Sequence, residues 1–453
     1  MKSNLKLAIK TALFGSAMLA ATNVSATDAA LLDTLLSNGS INKAQYDNLS
    51  SNKTPEATPA KSSSSSSDVN VTLDKKGLRF ATADKAFKMK IGGRIHMQTG
   101  YHVGAGDLAT DGTEFRRARI HIKGVLFNDF KYVSEIDFAD NKVVIKDMFV
   151  SYKGLDYLQI TLGNQKQNMS MELQESSNDI MFIERSLVNG LTEKTFNRAL
   201  GLDLKSAGKD WSVQLGVYGD DPSANKNLGD EGWGISSRAT YTPINTKNQV
   251  LHVGAAVGFR GMEAGDVKLG YETTHMSNLN LTEAELAVGD GAIENVNGMT
   301  LAIAELAYMY GPFSVQSEYA HMWLDRDAAQ GGLNFDAWYV QAAWTLTGES
   351  RSYKGSDGEF KRLKPSEEFG FGEGSGWGAV ELALRYDELD LNSGDIVGGT
   401  EKSFTVGANW YLNQNVRLMA DYRTAFDVSE RTEHAGQDLT GIHAFTGRVQ
   451  VTF

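Results

Sequence analysis

The sequence predicts an all-β chain: a transmembrane antiparallel β-barrel of 16 strands, preceded by a short N-terminal helical segment and a serine-rich linker. Three observations carry this. The last strand, IHAFTGRVQVTF (442–453), puts Phe445, Gly447, Val449, Val451 and Phe453 on one face and Thr446, Arg448, Gln450 and Thr452 on the other. Alternating segments of this kind recur from Phe87 to the end of the chain. They are joined by turns that are short on one rim and long on the other, as in outer-membrane barrels.

Residues 1–26 carry Lys2, Lys6 and Lys10, an apolar run and the small-residue site Val24-Ser25-Ala26, which reads as a secretory signal peptide. Removing it leaves 41 basic against 56 acidic residues, a formal charge of −15, which argues against nucleic acid as a partner. The run is too short to span a bilayer as a helix, and no later segment reaches ~20 apolar residues. Membrane passage therefore falls to strands. The chain has no cysteine, so no disulfide or thiolate metal site is available.

Residues 27–49 read as a short periplasmic module of two amphipathic helices broken at Gly39, and 50–79 as a low-complexity linker. The barrel is expected over 80–453. Its strands fall near 87–101, 115–127, 130–139, 142–153, 156–163, 199–206, 210–218, 232–242, 249–259, 299–310, 312–323, 335–347, 376–389, 402–412, 415–426 and 442–453. Short turns such as Asn128-Asp129 and Gly311-Pro312 mark the inner rim; polar stretches including 219–231, 260–298 and 390–400 mark the outer. The strand-like segment 267–279 is assigned to an outer loop, because counting it would give an odd number. One long connection, 348–375, falls on the inner rim against the pattern.

Parity sorts the side chains. Lys88, Lys90, Arg94 and His96 share the inward face of the first strand, and Arg117, Arg119, His121 and Lys123 that of the second. Closure brings Arg448, Arg417 and Arg423 beside them, making a basic arc along a water-filled lumen. Glu135 and Asp137 face inward opposite this arc and partly neutralise it. The 34-residue stretch 164–197 is too long for an ordinary connection and is expected to fold into the bore. It brings Lys166, Arg185 and Arg198 together with Glu172 and Glu184, so charges of both signs line the constriction.

The blocks FRRARIHIKGVLFNDFKYVSEIDFAD (115–140), IKDMFVSYKGL (145–155), LGNQKQ…ESSNDIMFIERS (162–186), MYGPFSVQSEY (309–319), LTGESRSYKGSDGEFKRLKP (346–365), ELALRYDELDLN (381–392) and FTVGANWYLNQNVRLMADY (404–422) resemble the phosphate-selective porin O/P family. The resemblance implies a trimeric, sixteen-stranded pore in a Gram-negative outer membrane. In such a pore, inward arginines and lysines draw small inorganic anions, phosphate or polyphosphate, to a constriction made by an inserted loop. Of Arg116, Arg117 and Arg119 in FRRAR, parity places only Arg117 and Arg119 inward. The alternative is a general or weakly cation-preferring diffusion porin for small hydrophilic solutes. None of the eight histidines lies in a hydrolase signature, and no metal site or cofactor is expected.

Overall fold

The computed structural model describes residues 33, 35–51, 69–75, 77–104, 111–193, 195–219, 232–267, 269, 293–327, 329–373, 375–428 and 441–453. The signal peptide and most of segment 267–279 lie outside them. Two units are defined, 1–66 and 67–453. In the first, helix α1 (Lys43–Ser51) starts at a reciprocal cap: Gln45 N–H donates to Asn42 Oδ1 and Asn42 N–H to Gln45 Oε1, both at 2.9 Å. Gly39, at φ +76°, ends the preceding helical turn.

The second unit is built from β1 (Val69–Asp74), β2 (Gly77–Thr82), β3 (Lys88–Val103), β4 (Gly112–Leu126), β5 (Phe130–Asp137), β6 (Val144–Tyr152), β7 (Gln159–Lys166), β8 (Arg198–Ala207), β9 (Trp211–Tyr218), β10 (Trp233–Asn245), β11 (Gln249–Val267), β12 (Ile293–Tyr310), β13 (Phe313–Arg326), β14 (Leu333–Thr345), β15 (Ser352–Lys354), β16 (Glu359–Lys361), β17 (Ala379–Ser393), β18 (Ile396–Tyr411), β19 (Val416–Val428) and β20 (Ile442–Thr452). Among the described residues, β3–β14 and β17–β20 make a closed antiparallel barrel of sixteen strands, sealed where β20 pairs with β3. At the seal Gly93 and Phe453 exchange backbone hydrogen bonds of 3.0 and 3.1 Å. A side chain at Gly92 would collide with the Phe453 carbonyl, which fixes glycine there.

The outer surface follows the expected rhythm. Exposed Tyr101, Phe115, Trp233, Trp323 and Phe445 ring one end, and Phe130, Trp211, Tyr310, Phe313 and Trp344 ring the end with short turns. Between them stand Leu, Val and Ala, the arrangement of a lipid-facing band with two aromatic girdles.

Three boundaries differ from expectation. The linker ends by Val69, because β1 and β2 form a hairpin and β2 pairs with β3 through Leu78–Ala81, in line with the end of β20. The outer stretch 390–400 is mostly strand, since β17 and β18 meet at a tight turn, Gly394-Asp395, with Gly394 at φ +57°. The connection after β14 folds back onto the barrel's interior side chains instead of hanging below them: Tyr353 Oη lies 2.6 Å from His252 Nδ1, and Phe360 packs with Val250, Ala307 and Met309.

The largest departure is the lumen itself. Segment 167–197, with two short helical turns, α2 (Met171–Gln174) and α3 (Asn189–Thr192), runs inside the barrel. Its Met169, Leu173, Leu187, Val188, Leu191 and Phe196 form one core with inward residues of β11–β14, β17 and β18, including Leu301, Ile303, Met322, Phe335 and Leu389. An entirely polar lumen is therefore not what folds; the side of the bore along β11–β14, β17 and β18 is packed like a protein interior. Burying six such side chains contributes on the order of 10 kcal/mol before ordering costs. Apolar packing, more than ion pairing, thus holds the segment in place.

Candidate functional site: a basic conduit beside the inserted loop

Across from this packed side, open space lies against the other wall. A cavity of about 480 Å³ runs along the inward faces of β3–β9. Its lining counts thirteen basic and eight acidic residues, an excess of five positive charges in a chain that is acidic as a whole.

Local backbone geometry explains which cations reach it. In β4 the register shifts, with His96 opposite Arg117 and Met97 opposite Phe115, so Arg116 is an extra residue. A bulge of this kind turns two successive side chains to one side. Arg116 consequently joins Arg117 and Arg119 in the lumen, correcting the parity reading. A second bulge sets Lys146 and Asp147 together opposite Glu135, and both line the cavity.

The predicted basic file divides in three. Arg94, Arg117 and Arg119 line the conduit. Arg94 Nη2 donates to Glu135 Oε2 at 2.7 Å, while Arg119 donates to Asp137 Oδ2 at 2.6 Å and Glu135 Oε1 at 3.1 Å. Glu135 thus pairs with both Arg94 and Arg119. Lys88, Lys90 and Lys123 sit toward the inner rim, outside the cavity wall, with Lys88 exposed.

Arg417, Arg423 and Arg448 were expected along the open wall, and the structure instead buries them. Arg417 donates to the carbonyls of Ile180 (2.9 Å) and Met181 (3.0 Å), and Arg448 to the Ile183 carbonyl (2.6 Å) and Glu184 Oε1 (2.7 Å). Arg423 donates to Glu401 Oε1 at 2.9 Å. Arg417 and Arg448 therefore anchor the loop, and Arg423 is neutralised within the wall.

The loop candidates sort similarly. Lys166 Nζ donates to the carbonyls of Leu173, Gln174 and Glu175 at 2.6, 3.0 and 3.1 Å, closing the C-terminal end of α2. Arg185 donates to the carbonyls of Glu172 and Glu175, each at 2.8 Å. Glu172 accepts from Ser186 and Asn189 within the loop and is closed to the conduit. Arg198 lines the cavity paired with Asp147 at 2.7 Å. Glu184 reaches across to the conduit wall, meeting Arg116 at 3.1 Å and Arg117 at 3.5 Å, whereas Glu172 meets Arg385 of β17 at 3.7 Å.

On the packed side, carboxylates receive the loop backbone. Glu318 accepts Met171 N–H (2.7 Å) and Glu172 N–H (3.0 Å), Asp421 accepts Ile183 N–H (2.7 Å), and Asp387 accepts Leu187 N–H (3.2 Å). These bonds consume acids on one wall and leave the opposite wall positive.

Lysines that sequence reading passed over complete the conduit: Lys131, Lys146 and Lys153 line it with no carboxylate at ion-pair distance among the described residues. Lys205 and Lys354 lie beside them and share Asp357 of the inner connection at 2.8 and 2.7 Å. Burial pushes the Asp357 pKa up, yet Lys205 and Lys354 together hold it well below the usual carboxylate range. Inward parity at the start of β5 marks Lys131; nothing local marks Lys153, just past the end of β6, or Lys354, at the end of the three-residue strand β15.

Glu175 supplies a pH dependence. It is fully buried, neither carboxylate oxygen meets a hydrogen-bond donor among the described residues, and burial raises its pKa to about 8 against the pull of Arg351, with Glu359, Glu172 and Asp179 adding to the rise. The folded value lies above the free one, so its contribution to stability is complete below the ordinary glutamate range and is lost as pH rises through about 8. Current fluctuations in planar bilayers should increase between pH 7 and 9 and stay flat in Glu175→Gln; equal behaviour of the two proteins would refute the assignment.

A closed sixteen-stranded barrel with aromatic girdles, an inserted loop and a charged aqueous conduit defines a porin of the Gram-negative outer membrane. The sequence profile described as phosphate-selective porin O and P matches residues 89–453, and the chain belongs to that family. It is 27% identical to Porin O of Pseudomonas aeruginosa over 84% of this chain and 92% of that protein. It is 30% identical to an uncharacterized protein of Caulobacter vibrioides over 81% of this chain and 74% of that one. Among solved structures it resembles an anion-selective porin from Comamonas acidovorans, with a TM-score of 0.54, 13% identity, and coverage of 81% and 100% of the two chains. It also resembles the trimer form of OmpT from Vibrio cholerae, with a TM-score of 0.51, 10% identity and the same coverage. These two likenesses concern the fold.

Proposed function

We propose that this porin passes small inorganic anions, phosphate among them, by passive diffusion along the β3–β9 wall. The observation that carries the reading is the excess of five positive charges lining the conduit of an otherwise acidic protein. Family membership and kinship with Porin O support phosphate as a substrate. Cations on the wall replace part of an anion's hydration, and alternate residues, spaced ~6.8 Å apart, offer successive resting points. Narrowing decides the size of the effect: a unit pair at ~4 Å gains about 1 kcal/mol in bulk water and about 4 at an effective dielectric constant near 20. The inserted loop supplies that narrowing. Homotrimeric assembly in outer-membrane lipid belongs to the same proposal, supported by the trimeric OmpT neighbour.

A salt-gradient reversal potential tests the reading. A potential of anion-selective sign, with chloride current blocked by added phosphate, is the expected result. Cation-selective sign would support the general diffusion pore instead.

A further inference from the structure

Two separate inserted segments each deliver one carboxylate into a pocket of three cations. From the loop, Glu184 lies 2.7 Å from Arg448, 3.1 Å from Arg116 and 3.5 Å from Arg117. From the inner connection, between β15 and β16, Asp357 lies 2.7 Å from Lys354, 2.8 Å from Lys205 and 3.6 Å from Lys361. Neither acid is part of the strand that carries its cations, apart from Lys354 and Lys361 flanking Asp357. A carboxylate held among three donors has the charge and planar oxygen pair of a bound oxyanion.

We propose that Glu184 and Asp357 are built-in counter-anions that occupy the strongest anion sites of the conduit and so determine its specificity. A phosphate left alone with three arginines would fall into a deep well and stop moving; an occupied pocket offers it only the residual charge. Arg117 illustrates the residue of that balance. It is 5% exposed, lines the cavity, and shares the Glu184 carboxylate, 3.5 Å away, with Arg116 and Arg448, so one negative charge divided three ways leaves a net positive field for a passing ion. The counter-anions trade affinity for throughput. This inference rests on the anion-conducting reading above.

The test is phosphate block of chloride current through the full-length protein in planar bilayers, comparing wild type with Glu184→Gln and Asp357→Asn. Each substitution should lower the half-blocking phosphate concentration about tenfold, the scale of one recovered charge-assisted hydrogen bond. Phosphate current at saturation should fall in parallel. A merely structural role for Glu184 would loosen the loop, raising chloride conductance while leaving the blocking concentration where it was; that result overturns the proposal. Should Glu184→Gln fail to assemble, Asp357→Asn carries the same expectation, and unchanged block in it overturns the proposal for both. A wild type without anion preference would defeat the function reading alone. The pockets would still be tested, because the variants gain phosphate block only if the carboxylates fill them.

Discussion

Deleting residues 170–190 should raise single-channel conductance severalfold and, in the same protein, lower the temperature at which the barrel unfolds. Both effects follow from one fact: the segment packs apolar side chains against the inward faces of β11–β14, β17 and β18. Without it, Leu301, Ile303, Met322 and Phe335 face water across a widened lumen. The wall also loses the backbone donors that Glu318, Asp387 and Asp421 now receive, leaving carboxylates without partners. Conductance recordings and a thermal melt on the same preparation check the pair. Greater conductance with an unchanged melt would mean that the apolar contacts contribute little, and unchanged conductance would mean that ions bypass the loop.

Reversing two lysines, Lys131→Glu with Lys153→Glu, should lower the anion/cation permeability ratio about tenfold. The lining charge excess falls from five to one, and among the described residues neither lysine has a carboxylate partner to absorb the change. Arg119→Gln should act differently. Its guanidinium is already matched by Asp137 and Glu135, so the substitution strands Asp137, leaves Glu135 to Arg94, and costs stability more than selectivity. Reversal potentials for the two variants, set beside their melting temperatures, separate the effects. A larger selectivity change in Arg119→Gln would place the governing field at the arginines.

The barrel was legible because its signal is one-dimensional. Alternation in 442–453, the short turns and the file Arg94, Arg117, Arg119 depend only on which residue follows which, and the strand number and seal came out as expected. Where alternation breaks, reading fails. The bulges at Arg116 and at Lys146-Asp147 insert a residue that no local propensity announces, and each turns one more charge inward. In LAIAELAYMY (301–310) both faces are largely apolar, so the sequence does not say which one meets lipid and which meets the loop.

Arg417 and Arg448 show a different limit. Their parity was read correctly, but their partners are backbone carbonyls and a carboxylate more than 230 residues away. Being inward is a property of the strand; being open to solvent is a property of what else is inside. The aliphatic residues of 169–196 are the one local sign that the inserted segment would bury a face, and their packing partners lie on strands distant in sequence.

Thiol accessibility bears most directly on the central claim, that ions run along the β3–β9 wall and are shut out of the β12–β14 side. The natural chain has no cysteine, so single substitutions are unambiguous. Lys146→Cys and Met322→Cys, each treated with an anionic methanethiosulfonate during recording, compare the two sides. The account predicts rapid loss of current in Lys146→Cys and none in Met322→Cys; rapid modification of Met322→Cys with Lys146→Cys untouched would contradict it.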